Sequence, residues 1–149
     1  MRAAASEPFV LHRANGPRWV IQPPQDPYGD GYVYTVAIEL HDDGMSASTT
    51  ATIDGLYVNP DIGTLSQFVQ SLADDWRGWR EVRRRTSMED ELTLDAQHDG
   101  RAYVSIGVTL RAPGGSWEDA RWSARSVFVL EAGEEMTRLA ADLRHLLGS

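Results

Sequence analysis

The sequence predicts an α+β protein: an antiparallel, curved sheet of about six to eight strands packed against two amphipathic helices, in the order β-hairpin and strand, helix, three strands, helix. Three observations carry this. Two segments repeat their apolar residues with the 3.6 period of a helix, the runs before each alternate with the period of a strand, and Asp-Gly dipeptides stand between successive alternating runs. At 149 residues with 42% hydrophobic content, one domain, 1–149, can bury its core without disulfide or metal support.

In chain order, Phe9 to Leu11 and Trp19 to Ile21 form a short strand pair around Ala14-Asn15-Gly16-Pro17. The segment QPPQDPYGDG, residues 22–31, is a loop by its prolines and glycines. Tyr32, Tyr34, Val36, Ile38 and Leu40 then share one strand face, and Ala47, Thr49, Ala51 and Ile53 share the next, with Asp43-Gly44 as a primed hairpin turn between them. Leu65, Phe68, Val69, Leu72, Ala73 and Trp76 make a helical stripe. Thr64 and Gln67 cap its start as a capping box, and Asp61 at one end with Arg77 and Arg80 at the other have the signs that the helix dipole favours.

Gly78 is placed to end this helix in a left-handed conformation, with Trp79 packing back on the last turn. Leu92, Leu94 and Ala96, then Val104, Ile106, Val108 and Leu110, then Trp122, Ala124, Ser126, Phe128 and Leu130 form three further strand faces, with Asp99-Gly100 turning the first into the second. APGGSWED, residues 112–119, is the second long loop. Met136, Leu139, Ala140, Leu143, Leu146 and Leu147 make a closing helix over about 133–147. The pieces ELHDDG and SLADDW in the first half match AQHDG and RLAADL in the second, which points to two similar halves at about 32–79 and 88–147.

The formal charge of −8 opposes nucleic-acid binding, which needs a basic surface, and favours a basic protein partner. There is no cysteine, so thiolate zinc sites and cysteine nucleophiles are excluded. No run approaches membrane-spanning length and the N-terminus lacks an apolar signal core, so the expectation is a soluble cytoplasmic protein with no membrane contact. All 14 basic residues are arginine, as GC-rich codon usage produces.

WRGWREVRRR, residues 76–85, is the one concentration of arginine and tryptophan. Such residues bind phosphate and stack on bases, yet between Asp74 and Glu91 five arginines face six acids. The stretch reads as a helix stop followed by a strand whose Arg83 and Arg85 lie opposite surface Glu89 and Glu91. His41-Asp42 and His98-Asp99 have the composition of an acid–base or metal pair, but both fall at hairpin turns without a third ligand. Asp26, Asp30 and Gly31, and Asp95, Asp99 and Gly100, imitate part of a calcium loop but place Ala37 and Ile106 where a bidentate glutamate is needed. Gly44 to Ser48 departs from the nucleophile-elbow pattern at its last position. No metal or cofactor is expected. Trp117 and Trp122 flank the second loop with Glu118, Asp119, Arg121 and Arg125 as a polar rim, the composition of a binding surface.

IGTLSQFVQSLADDWRGW, then SMEDELTLDAQHDGRAYVSIGVTL, then FVLEAGEEMTRLAADL, over about 62–147, resembles an uncharacterised family of short actinobacterial proteins. More distantly it is similar to WapI-type immunity proteins, which share the order of helix, WxG-like turn, acidic strand, D-G hairpin and closing helix. The near resemblance implies no known chemistry, and the distant one implies binding and neutralising a toxin. The expected function is a non-enzymatic protein-binding module with binding residues Trp79, Arg83, Arg84, Arg85, Trp117 and Trp122. The alternatives are a small-ligand binder or enzyme with a cleft near residues 112–121, and a homodimer joined at a strand edge.

Overall fold

Alternating side chains make each strand two-faced, and in the computed structural model, which describes residues 7–53, 63–112 and 121–147, that alternation builds two separate sheets. The elements are β1 (Phe9–His12), β2 (Arg18–Ile21), β3 (Tyr34–Asp42), β4 (Met45–Ile53), α1 (Leu65–Asp74), β5 (Arg83–Thr86), β6 (Leu92–His98), β7 (Tyr103–Arg111), β8 (Ser123–Glu131) and α2 (Glu134–Leu147). Strands β1 to β4 form one antiparallel meander and β5 to β8 another. Each half therefore runs four strands and then a helix, and the first such unit begins at Phe9, well before residue 32.

The faces expected to be apolar are the ones that pack. Val36, Ile38 and Leu40 of β3, Leu92, Leu94 and Ala96 of β6, Val104 to Leu110 at alternate positions of β7, and Phe128 and Leu130 of β8 are buried in one cluster with the stripes of α1 and α2. Trp19 from the first sheet lies 6.4 Å, centroid to centroid, from Phe128 of the second, and Phe9 meets Trp19 edge-on at 5.2 Å. Each aliphatic side chain so buried contributes about 1.5–3 kcal/mol. Thr64 caps α1 as expected, accepting from the Gln67 N–H while the Gln67 side chain accepts from the Thr64 N–H.

Polar bonds tie the halves together around this core. The Thr49 hydroxyl donates to the Arg111 carbonyl at 2.7 Å, the Ser126 hydroxyl to the Asp42 carboxylate at 2.7 Å, and the Met88 N–H to the Thr52 carbonyl at 3.2 Å.

The turns differ from expectation. Gly44 and Gly100 have positive φ, 72° and 81°, but Asp43 and Asp99 do not, so neither turn is the type I′ form that needs positive φ at both central residues. At the second turn the Asp99 carboxylate stabilises a longer loop by accepting the N–H groups of Arg101, Ala102 and Tyr103. The Arg101 and Tyr103 bonds hold its carboxyl below the usual range. α1 ends at Asp74, before Arg77 and Arg80, so these arginines are not in its last turn. Asp61 lies outside the described residues.

One ion pair fixes the first hairpin to α2. Arg13 donates from Nη1 to Glu135 Oε2 at 2.7 Å and from Nη2 to Oε1 at 3.4 Å, and the Glu131 N–H donates to Oε1 at 2.8 Å. The Arg13 bond, and then the Glu131 N–H, lower the Glu135 pKa below its ordinary 4.5. A carboxyl depressed in the folded state contributes stability that is present above 4.5 and lost as pH falls through the folded value. Glu135→Gln should therefore lower stability at pH 7 by less than about 1 kcal/mol, since solvent screens a pair this exposed. The deficit should shrink toward zero in acid. Urea unfolding of both proteins at pH 7 and pH 3 checks this, and an equal deficit at both would refute it.

Candidate functional site

The stretch that stood out in the sequence is organised by a buried histidine. The imidazole of His98, its side chain wholly buried, donates from Nε2 to the Trp76 carbonyl at 2.8 Å and accepts at Nδ1 from the Gly100 N–H at 2.8 Å. Together these bonds require the tautomer with its proton on Nε2. Gly78, at φ 133°, crosses over this ring so closely that a Cβ would lie 3.4 Å from Nδ1. Trp79 meets His98 edge-on at 5.3 Å and its indole N–H donates to the Ala96 carbonyl at 3.3 Å.

Of the two tryptophans expected to pack, only Trp79 does, against His98. Trp76 lies beyond the end of the helix, 51% exposed, with the Arg77 guanidinium over its ring, while Trp79 packs against the core. Gly78 is three residues past the cap Asp75 and does not occupy the expected stop position.

The three consecutive arginines separate by strand parity. Arg83 is half-buried over the Trp79 ring and pairs with Asp75 at 2.7 Å. Ala96 stands opposite Arg83 and Leu94 opposite Arg85, so the expected pairing with Glu89 and Glu91 does not form. Glu91 is instead buried, accepting from the Ser87 hydroxyl at 2.8 Å, because the turn from Ser87 to Asp90 carries it inward before β6 begins. Arg85 is half-buried on the same face as Arg83. Arg84 points the other way.

On that outer face of the second sheet lies a shallow dish of about 520 Å³, lined by Arg84 and Thr86 of β5, Asp90, Thr93 and Asp95 at β6, Thr109 and Arg111 of β7, and Arg125 of β8. Arg125 crosses the sheet to Asp95, with Nη2 at 2.9 Å and Nε at 3.4 Å. Gly107 lies beneath, where any Cβ would overlap both side chains, so the small residue makes the pair possible. Arg111 donates from Nη1 to the Thr93 hydroxyl at 3.2 Å and to the Asp90 carbonyl at 3.3 Å, the latter presented by a left-handed backbone, φ 63°. Arg84 has no hydrogen bond or ion pair among the described residues. Three guanidiniums facing two carboxylates leave the dish one positive charge in surplus on a chain of net −8.

Beside the dish the same face turns apolar. Tyr103 of β7 and Val127 and Val129 of β8 are exposed there. Trp117 lies outside the described residues. Of the residues singled out in the sequence, Arg84 and Arg125 reach this face, Trp79, Arg83 and Arg85 lie behind it, and Trp122, outside β8, shares the parity of inward-facing Ser126 and Phe128.

The outer face of the first sheet carries a different polar group. His41 receives or donates a bond with Ser46 at Nδ1, 3.0 Å, and with Glu39 at Nε2, 3.1 Å, and the histidine bond holds the Glu39 carboxyl below its usual range. Serine, histidine and carboxylate in series are the components of acyl transfer, but the adjoining concavity of about 370 Å³ is lined by His12, Gly16, Arg18, His41 and Asp42 and does not include Ser46. Ser46 is the cross-strand neighbour of His41, and Glu39 stands two residues along the same strand, on an exposed hairpin. Among the described residues no group of three or more histidines and acids is placed to hold a metal ion, and no helix is long and apolar enough to cross a membrane.

Residues 20–149 match the model of a family described only as a family of unknown function, DUF6228. No curated protein and no solved structure matches the chain.

The difference between the two tryptophans is measurable. Trp79→Ala should destabilise the fold by about 3 kcal/mol or more, as loss of a packed aromatic does, and Trp76→Ala by less than about 0.5 kcal/mol, as for an exposed side chain. Chemical denaturation of the two variants decides it, and equal losses would refute the assignment.

Proposed function

The chain belongs to the DUF6228 family, and from its surface we propose that it is a non-enzymatic protein-recognition module, acting in the cytoplasm, whose contact surface is the outer face of the second sheet. One observation carries the reading: on an acidic molecule, this face sets an exposed apolar strip of Tyr103, Val127 and Val129 against an arginine and threonine dish. Apolar centres with arginine beside them are what protein contacts use. The net charge of −8 draws a basic protein toward the molecule at long range. At contact, Arg84 and its neighbours receive a carboxylate of that protein, because guanidinium pairs with carboxylate through parallel N–H bonds. The resemblance of residues 62–147 to WapI-type immunity proteins supports the narrower reading in which the partner is a toxin.

A second reading rests on the volume and chemistry of the dish alone: a free small anion occupies it. Inorganic phosphate or citrate should then raise the melting temperature of the wild type and not of Arg84→Glu, since a ligand that binds only the folded state stabilises it.

Under the leading reading, wild-type protein should retain a host protein, such as the product of an adjacent gene, in a manner weakened by salt. Arg84→Glu and Tyr103→Ser should each reduce that retention by about tenfold, a loss of some 1.4 kcal/mol, with melting temperatures unchanged. Quantitative affinity purification of the three proteins at two salt concentrations is the measurement. A set of retained proteins indistinguishable between wild type and both variants would overturn the reading.

A further inference from the structure

We propose that two copies of this chain pair through the edge of β8, antiparallel about a twofold axis at Phe128, joining their second sheets into one continuous sheet. The proposal concerns the edge of the sheet, whereas the recognition surface lies on its face, and the two share Arg125, Val127 and Val129.

The first ground is the character of the edge. β8 is a terminal strand of its sheet, and among the described residues its far side has no strand partner. Unpaired edges invite pairing, and proteins usually blunt them with short or charged strands. The other end of this sheet follows that practice: β5 has four residues, three of them arginine. The long edge strand of the first sheet, β4, turns Ser46, Ser48, Thr50 and Thr52 outward. β8 is nine residues long, contains no proline, and presents Val127 and Val129, 40% and 48% exposed.

The second ground is self-complementarity. Antiparallel pairing about Phe128 places Val127 opposite Val129 of the partner subunit and Arg125 opposite Glu131 of the partner subunit, and the symmetry repeats both pairs. A slip of two residues would set Arg125 against Val129 in one direction or Gly133 in the other, and lose both ion pairs. Strand pairing by one residue is excluded, since it would turn the buried face outward.

The third ground is the state of the two charged groups. Arg125 uses Nε and Nη2 on Asp95, and its Nη1 has no acceptor among the described residues. Glu131 is half-buried, and its Oε1 is a buried oxygen without a hydrogen-bond donor. A carboxylate lacking a donor is costly to bury, and the pairing sets a guanidinium of the partner across the edge from each Glu131. Because a strand added at the edge extends the sheet laterally, the outer face of the sheet still faces solvent on both copies, with Arg125, Val127 and Val129 meeting the partner along the seam.

Sedimentation velocity should give twice the 16.5 kDa chain mass for the wild type. Glu131→Arg and Arg125→Glu, each of which turns both symmetric pairs repulsive, should separately raise the dimer dissociation constant by at least about tenfold. The two single variants mixed in equal amounts should form a heterodimer, and the double variant Arg125→Glu/Glu131→Arg should recover the homodimer. Val129→Lys, which touches neither charged group, should also weaken the dimer, with circular dichroism confirming that it is folded. A monomeric wild type overturns the proposal, as does a dimer whose dissociation constant is unmoved by Glu131→Arg and Val129→Lys.

Discussion

The constraint on which the molecule depends is the parity of its strands. A strand turns alternate side chains to opposite sides, so once Leu94 and Ile106 face inward, Asp95 and Gly107 face out. The inner faces of both meanders are apolar and share one cluster with the helix stripes. Neither sheet can shift by a residue without exposing that face. The register that protects the core therefore also aligns Arg84, Asp95 and Gly107 across three strands and sets Arg125 of β8 on the diagonal from Gly107, within reach of Asp95. The dish is a consequence of the core.

Parity also explains what the sequence made legible. The strand faces from Val36 to Leu40 and from Val104 to Leu110, the stripe of the first helix from Leu65 to Ala73 and that of the second depend on spacing within a short segment, and they pack as their spacing implies. The capping box of Thr64 and Gln67 is equally local. The tryptophans were not legible in this way. Extending the helical period one residue too far put Trp76 on the buried stripe, whereas the chain leaves the helix to meet His98, 22 positions away. Histidine at a turn has a bland local explanation, and only the fold reveals a ring holding two backbone groups.

The dish was harder still to foresee. Its arginines come from three strands, and each sits in a neighbourhood rich in acids or in no motif at all. Arg125 could be suspected from its place beside the second loop, and Arg84 from its place in a triplet. What singles out Arg84 from Arg83 and Arg85 is the register of β5 on β6, which a four-residue strand does not encode by itself. Gly107 was invisible for a related reason. Glycine in a strand interior weakens it, and its use appears only when the Arg125 and Asp95 side chains are seen to cross above it.

The two halves supply an internal control on function. Both run four strands and a helix, both bury one sheet face, and both leave the other outside. If exposure to water alone shaped the outer faces, they should resemble each other. That of the first sheet is mainly polar, with Thr35 opposite Thr52, Glu39 opposite Ser48 and His41 opposite Ser46, and its exposed valine, Val10, stands apart on β1. That of the second gathers two exposed valines and a tyrosine on its nine-residue strands β7 and β8, beside a guanidinium–carboxylate pair that crosses over a glycine. Apolar side chains at such positions cost solubility and add nothing to the core. The difference between two faces of one architecture is therefore the strongest physical reason to place recognition on the second sheet.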